Sequence, residues 1–329
     1  MKKIRFAVIG TSVITKKFLE AASLCSQFEF AAVYSRNAEK GRAFVQNMGN
    51  IRVYDSLEDL ACSRDIDAVY IASPTCCHAS QSILMLENGK HVLCEKPVAS
   101  NFREWRNMRK VSGENKVILL EAMRPVFNPG FQIIKKNLAK LGQIRKVNFN
   151  YCQYSSRYDK FKNGIIENAF RPELSNGALM DIGVYPVEVM AGLFGKPKHI
   201  AAHGYIIPGS IDGMGSITAT YEGMQADLVY SKISDSHLPC EIQGEKGTMY
   251  FNSITGLEDI RIRYRNGYEE KYSADTNQHD MIYEVEGFID MIAGKRLAKE
   301  YNDISSISLE ILDQARELIG IVFPADASC

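Results

Sequence analysis

The chain has 329 residues, more than one hydrophobic core usually supports, so two domains are expected. Its 39 Lys plus Arg balance 39 Asp plus Glu, which leaves no sequence-wide basic field for nucleic acid or an anionic membrane. With 46% apolar and 24% charged residues and no low-complexity stretch, a disordered chain is excluded as well.

The first ten residues are basic and then apolar, but the apolar run is too short for a signal peptide and breaks into Gly10-Thr11-Ser12. The longest later candidate, 311–323, carries Asp313, Arg316 and Glu317, so no membrane helix is expected and a cytoplasmic protein is the reading. From residue 4 to about 121, apolar runs at 4–9, 28–34, 68–72, 91–94 and 117–120 alternate with amphipathic stretches at 15–24, 38–48, 80–88 and 102–111. Strands that are apolar on both faces, joined by crossover helices, describe a doubly wound parallel sheet.

The pattern changes after Pro125. A helix at 131–138, a strand at 147–154 and a helix at 181–193 precede strands at 199–207, 214–222, 225–233, 239–243, 248–252, 260–264 and 268–273. Residues 244–247, Gly-Glu-Lys-Gly, form a hairpin turn, and helices at 281–292 and 306–323 close the chain. The fold class is therefore α/β: a Rossmann domain over 1–122, followed over 123–329 by an α+β domain with one large, mostly antiparallel sheet. That sheet needs cover on its second face, and pairing of two subunits, as a homodimer or homotetramer, supplies it.

The first strand runs into Gly10-Thr11-Ser12-Val13-Ile14-Thr15 and then a helix, the place of the dinucleotide fingerprint G-x-G-x-x-G. Only the first glycine is present; Ser12 and Thr15, both small hydrogen-bond donors, replace the others. The driver of phosphate binding there is the helix N-terminus with its unpaired amides. At the end of the second strand, Ser35-Arg36 stands where an NAD site usually has a carboxylate. A hydroxyl and a guanidinium hold a 2′-phosphate, so NADP is the expected cofactor, with NAD as the alternative.

At the end of strand 91–94 stands Glu95-Lys96-Pro97, and Pro97 keeps Lys96 out of helical geometry at the strand end where ligands of this fold sit. Further on, Asp181 and Tyr185 lie four apart at a helix start and share one helix face. Taken alone, a surface lysine, an N-cap aspartate and a core tyrosine account for these three residues equally well. In combination and in order, however, G-x-S, Ser73-Pro74-Thr75-Cys76-Cys77-His78, Glu95-Lys96-Pro97, Glu121-Ala122-Met123 and Gly177-Ala178-Leu179-Met180-Asp181-Ile182-Gly183-Val184-Tyr185 resemble the glucose-fructose oxidoreductase and inositol dehydrogenase (Gfo/Idh/MocA) family over nearly the whole chain. Tyr185, where many members carry His, resembles the branch of dimeric dihydrodiol dehydrogenase and xylose dehydrogenases.

The resemblance implies an NAD(P)-dependent enzyme acting on a carbonyl or hydroxyl of a sugar, polyol or dihydrodiol. It implies a Lys96/Tyr185 pair, with Asp181 orienting the substrate hydroxyl or the lysine, and Ser73, Pro74, Thr75, His78 and Glu95 around the cofactor. Hydride arrival at a carbonyl leaves an alkoxide that needs a proton, and a phenol beside an ammonium gives up its proton more readily than one in water. The branch usually has Trp, a small residue and Arg after Met123. Here Arg124-Pro125-Val126 follows, so Arg124 is a candidate cofactor or substrate contact and a sugar or polyol is favoured over an aromatic dihydrodiol. His78 also reads as a helix-start residue facing solvent, and Arg171, His279 and Tyr283 are lesser pocket candidates. No metal is expected, because His199 and His203, four apart on a strand, are about 13 Å from each other. The eight cysteines show no CxxC pair and read as buried thiols, Cys76-Cys77 included. Two readings of other classes remain: a cofactor-bound sensor or scaffold without turnover, and an NAD-dependent glycoside-cleaving enzyme.

Overall fold

The computed structural model of the chain describes residues 3–274 and 277–327. It divides into two compact units, Met1–Ala122 with Asn277–Asp303, and Met123–Thr276 with Ile304–Cys329.

In the first unit, β1 (Ile4–Ile9), α1 (Val13–Ala22), β2 (Phe28–Tyr34), α2 (Ala38–Val45), β3 (Arg52–Tyr54), α3 (Leu57–Cys62), β4 (Ala68–Ile71), α4 (His78–Glu87), β5 (His91–Glu95), α5 (Phe102–Asn115) and β6 (Leu119–Ala122) follow one another. The strands pair in parallel in the order β3-β2-β1-β4-β5-β6, so the winding direction reverses between β1 and β4. The central strands are apolar on both faces because both faces are covered, and all four residues of β4 are buried. The ring of Phe18 on α1 stacks on Tyr70 of β4 with centroids 3.6 Å apart, joining helix to sheet. Strand β3 and helix α3 escape a reading by apolar runs. The strand is a three-residue edge strand with Arg52 exposed, too short to show a period.

In the second unit, α6 (Arg124–Phe127), α7 (Pro129–Asn137), β7 (Ile144–Cys152) and α8 (Ser156–Lys162) lead to a π turn, Leu179–Gly183, that runs into α9 (Val184–Phe194). Strands β8 (His199–Ile206), β9 (Asp212–Tyr221), β10 (Met224–Ser231), β11 (Cys240–Gly244), β12 (Gly247–Phe251), β13 (Ile260–Tyr264) and β14 (Glu269–Tyr272) complete an eight-stranded sheet with β7. Its order is β14-β13-β12-β11-β7-β10-β9-β8, antiparallel throughout except where β7 runs parallel to β10. Helix α9 lies against β7 and β10, and its residues Val184 to Ala191 are all buried. The segment Pro172–Phe194, 23 residues, contains an 18-residue window of mean hydropathy 1.3 and so resembles a membrane span by length and composition alone. The apolar window within it is 78% buried in the fold, the packing of a core helix.

The chain then returns to the first unit with α10 (Ile282–Ile292), and α11 (Lys299–Ile319) and α12 (Pro324–Ala327) end it. The expected second domain over 123–329 is thereby corrected. Helix α10 packs on α1, and Phe288 meets Phe6 of β1 edge-on at 6.0 Å, so this apolar face belongs to the first core. All seven described cysteines are unbonded, but only Cys25, Cys94 and Cys240 are buried; Cys329 lies outside the described residues.

Candidate active site

The candidate residues fall into two groups, one in each unit. In the first, Gly10 ends β1 at φ +109°, and a Cβ there would sit 2.7 Å from the Ala72 carbonyl oxygen, so only glycine fits this turn. Ser12 enters α1 in an extended conformation, yet its side chain caps no amide and lies instead 3.3 Å from the Thr15 hydroxyl. Elsewhere in this unit Asn37, Ser56 and Asn101 accept from the amides of Lys40, Asp59 and Glu104. The start of α1, formed by Val13, Ile14 and Thr15, thus lacks the side-chain cap that α2, α3 and α5 have, which suits an incoming diphosphate. Thr11 and Ile14 are half-buried and Val13 is exposed, while Thr15 is fully buried in the place of the third glycine.

Past β2, Ser35 donates its backbone N–H to the Tyr54 carbonyl and its Oγ accepts from Asn37 N at 3.4 Å, while Arg36 is exposed. The Arg36 charge reaches the buried phenol of Tyr34, whose titration burial pushes up against it. These residues fit a 2′-phosphate: a guanidinium, a hydroxyl and, among them, no carboxylate.

After β4, Ser73 donates to Gln81 Oε1 at 2.7 Å, and His78 lies buried with Nδ1 2.9 Å from the Pro97 carbonyl and Nε2 2.9 Å from the Ser73 carbonyl. The solvent-facing reading of His78 is therefore corrected. The ring fastens the Ser73-Pro74-Thr75 loop to the turn after β5, and burial pushes its titration down. Beside it Cys76 and Cys77 are half-buried with sulfurs 3.8 Å apart, and burial pushes the Cys76 thiol up to about 11. Glu95 accepts a short hydrogen bond from the buried Tyr70 hydroxyl and, through its other oxygen, the Lys96 amide at 3.3 Å. The Tyr70 phenol is pushed well up by burial, with the Glu95 and Glu284 charges adding to it. Lys96, half-buried, and Pro97 are joined by a cis peptide.

In the second unit, Tyr185 occupies the first turn of α9, 7% exposed, with Tyr151 of β7 against it edge-on at 5.5 Å. Asp181 lies one turn earlier, within the π turn. It does not cap the helix: the Leu179 amide donates instead to Asp212 Oδ2 at 2.6 Å. Gly177 makes room for that carboxylate, since a Cβ there would fall 2.2 Å from Asp212 Oδ1. Burial pushes the Asp212 carboxyl up to about 7, opposed by the Leu179 and Ala178 amides and by the charge of Lys232. Asp181 Oδ2 is ion-paired with Lys232, whose side chain is 4% exposed against 31% for Asp181. Asp181 also lines a cavity of about 530 Å³ together with Arg157, Ile166, Glu167, Asn168, Ala169 and Asn176.

Lys232, Asp212 and Arg157 are the site residues that sequence reading missed. Lys232 and Asp212 stand at strand ends, which carry no motif. Arg157 belongs to α8, in the segment between β7 and the π turn whose only signal is its length. Of the lesser candidates, Arg171 lies at the surface beside Glu173 and the Ile166 carbonyl, and in the first unit the Tyr283 hydroxyl accepts the Asn277 amide. Arg124, half-buried, opens α6. His199 and His203 lie on β8 opposite Thr220 and Ser216.

Comparisons with known proteins agree with this layout. Residues 4–123 match the model of an oxidoreductase family with an NAD-binding Rossmann fold, GFO/IDH/MocA, and residues 132–250 match the GFO/IDH/MocA C-terminal domain. The chain is 45% identical, over 98% of its length and 99% of the relative's, to the scyllo-inositol 2-dehydrogenase (NADP(+)) IolU of Bacillus subtilis. It is 28% identical, over 97% and 99% of the two chains, to the trans-1,2-dihydrobenzene-1,2-diol dehydrogenase of Xenopus laevis. Its fold matches that of KijD10, a 3-ketoreductase from Actinomadura kijaniata solved with NADP and TDP-benzene, with a TM-score of 0.86 at 21% identity over 97% and 98% of the chains.

Proposed function

The chain belongs to the GFO/IDH/MocA oxidoreductase family, and from that premise we propose that it moves a hydride between NADP(H) and a ring carbon of a cyclitol or related polyol. The observation that carries the reading is a helix start without a side-chain cap after Gly10, followed by Ser35-Arg36 at the end of β2. The diphosphate goes to the amides of Val13, Ile14 and Thr15 with the Thr11 and Ser12 side chains beside it, and the 2′-phosphate to Ser35 and Arg36. The Ser73-Pro74-Thr75 loop and Glu95 border the cofactor, with His78 holding that loop from behind. Bound NADP(H) supplies the hydride acceptor or donor.

The chain's own residues handle the oxygen. Lys96 holds the reacting oxygen, Tyr185 takes its proton during oxidation and returns it during reduction, and Asp181 accepts a hydrogen bond from a neighbouring hydroxyl. The polyol class is supported by the 45% identity to an enzyme named for scyllo-inositol and by Arg124 standing where an aromatic stacking residue was expected. The eight-stranded sheet has exposed apolar side chains at Tyr205, Met214 and Val229, and a second copy of the chain is the partner that suits them.

The test is fluorescence titration of the purified chain with NADPH and NADH, followed by turnover with NADP⁺ and scyllo-inositol, other inositols, aldoses and a dihydrodiol. Lys96→Ala and Tyr185→Phe are each expected to lower kcat by about 10²–10⁴-fold while NADPH binding stays within about threefold. Unchanged turnover in both variants, or a chain that binds neither nucleotide, overturns the reading.

A further inference from the structure

Among the described residues three Lys or Arg side chains are nearly buried, and they are satisfied in different ways. Lys90 donates to the Ser63 carbonyl and, at 3.0 Å, to the Ile66 carbonyl. Arg316 pairs with Asp313 and Asp326 and stacks on Phe323 at 4.5 Å. Both are internal clamps, and none of their partners lines the cavity beside Asp181. Lys232 is different. Its Nζ lies 5.3 Å over the Phe170 ring and is ion-paired with Asp181, whose carboxylate does line that cavity. Its own backbone is held on β9 by the bond from Lys232 N to the Gly213 carbonyl at 2.8 Å.

An ammonium taken out of water costs several kcal/mol unless a carboxylate answers it, so Lys232 and Asp181 bind each other to one geometry. The lysine stands behind and the carboxylate in front, half-exposed to the cavity. In this ion pair the carboxylate serves as an acceptor, and the π turn presents it one helical turn before Tyr185. On the cavity wall Arg157 lies 3.5 Å from Glu167, a carboxylate that also takes Lys160 from outside the wall at 2.7 Å. The lining holds two carboxylates, Glu167 and Asp181, against one guanidinium, Arg157, a balance that favours hydroxyl groups over a phosphate or carboxylate.

We infer that Lys232 is a positioning residue: through Asp181 it fixes the acceptor for a substrate hydroxyl beside the reacting carbon, and so makes the site select an uncharged vicinal diol. The inference rests on the oxidoreductase reading and assigns Lys232 no direct contact with the reacting atoms.

The experiment is a double-mutant cycle on the full-length chain with Lys232→Met, Asp181→Asn and both, plus Lys232→Arg. The readouts are NADPH binding by fluorescence, scyllo-inositol binding by calorimetry in the presence of NADPH, and turnover with scyllo-inositol and NADP⁺. Lys232→Met is expected to weaken polyol binding and raise KM by about tenfold or more, with NADPH binding within about twofold of wild type. Lys232→Arg recovers most of the loss, and in the Asp181→Asn background Lys232→Met costs less than about threefold. An inositol monophosphate is turned over at least about tenfold less efficiently than the free cyclitol. Additive losses, an Arg variant no better than Met, or equal use of the phosphorylated cyclitol overturns the role of Lys232. A wild-type chain that binds neither nucleotide overturns the oxidoreductase reading and this one with it. One that binds NADPH but no polyol overturns the diol selection alone.

Discussion

Two helix starts in this chain meet the same physical problem and solve it in opposite ways. At α1, Ser12 occupies the N-cap position but its side chain caps nothing, whereas at the π turn before α9 the Leu179 amide is taken by the buried carboxylate of Asp212. Both starts present unpaired N–H groups and the positive end of a helix dipole. The first leaves them open to an anion from outside; the second closes its start with a carboxyl group of the chain itself. The difference follows from what each helix must hold. Under the proposed function the first has to admit and release a phosphate, while the second has to keep Asp181 and Tyr185 in one arrangement through every turnover.

The largest expected effect tests the closed start. The Asp212 carboxyl has an ordinary value of 3.8 and is pushed up to about 7 in the fold. Between those values the unfolded chain has lost this proton while the folded chain keeps it, so stability falls as pH rises from about 4 to about 7 and stays lower above. Asp212→Asn keeps an acceptor for the Leu179 amide and removes the titration. Urea unfolding at pH 5 and pH 8 should show wild type losing on the order of 2–3 kcal/mol more than the variant over that interval. Parallel losses in the two proteins would remove the raised carboxyl from the account.

A smaller effect is expected at the open start. In Gly10→Ala the new Cβ meets the Ala72 carbonyl at 2.7 Å in a backbone at φ +109°, which should cost about 1–3 kcal/mol of stability. Because the turn must shift, NADPH binding should weaken by about 30-fold, and a titration matching wild type would mean that this turn holds no diphosphate. The smallest effect concerns selectivity. Arg36→Ala should weaken NADPH by about tenfold and leave NADH within about twofold, which two parallel titrations measure. Equal weakening of both nucleotides would take Arg36 away from the 2′-phosphate.

Much of the fold is legible in the residues. Alternating apolar runs and amphipathic stretches before residue 121 are strands covered on both faces and their crossover helices. The Gly-Glu-Lys-Gly turn at 244–247 links β11 to β12 as the spacing suggests. Where apolar period is absent the reading fails: β3 is too short, and α8 with the loop after it carries mixed charge. The π turn is also invisible, since its residues have the composition of an ordinary helix start. Among candidate site residues, Gly10, Ser35, Arg36, Lys96, Asp181 and Tyr185 could be named because each sits in a local motif. His78 was named for its motif, but its burial was not legible, because its ring lies between the Ser73 carbonyl five residues back and the Pro97 carbonyl 19 residues on.

By itself, then, the sequence determined the order of strands and helices, the glycine at the first turn and the residue types at the strand ends, all of which depend on neighbours a few positions apart. The tertiary structure decided what lies behind them. Asp181 and Lys232 are 51 residues apart, Leu179 and Asp212 are 33, and His78 and Pro97 are 19. It also decided that Asn277–Asp303 belongs with the first unit. These contacts depend on how the sheets bring distant segments side by side, and burial then sets which carboxylate is charged, which histidine is enclosed and which lysine must find a partner.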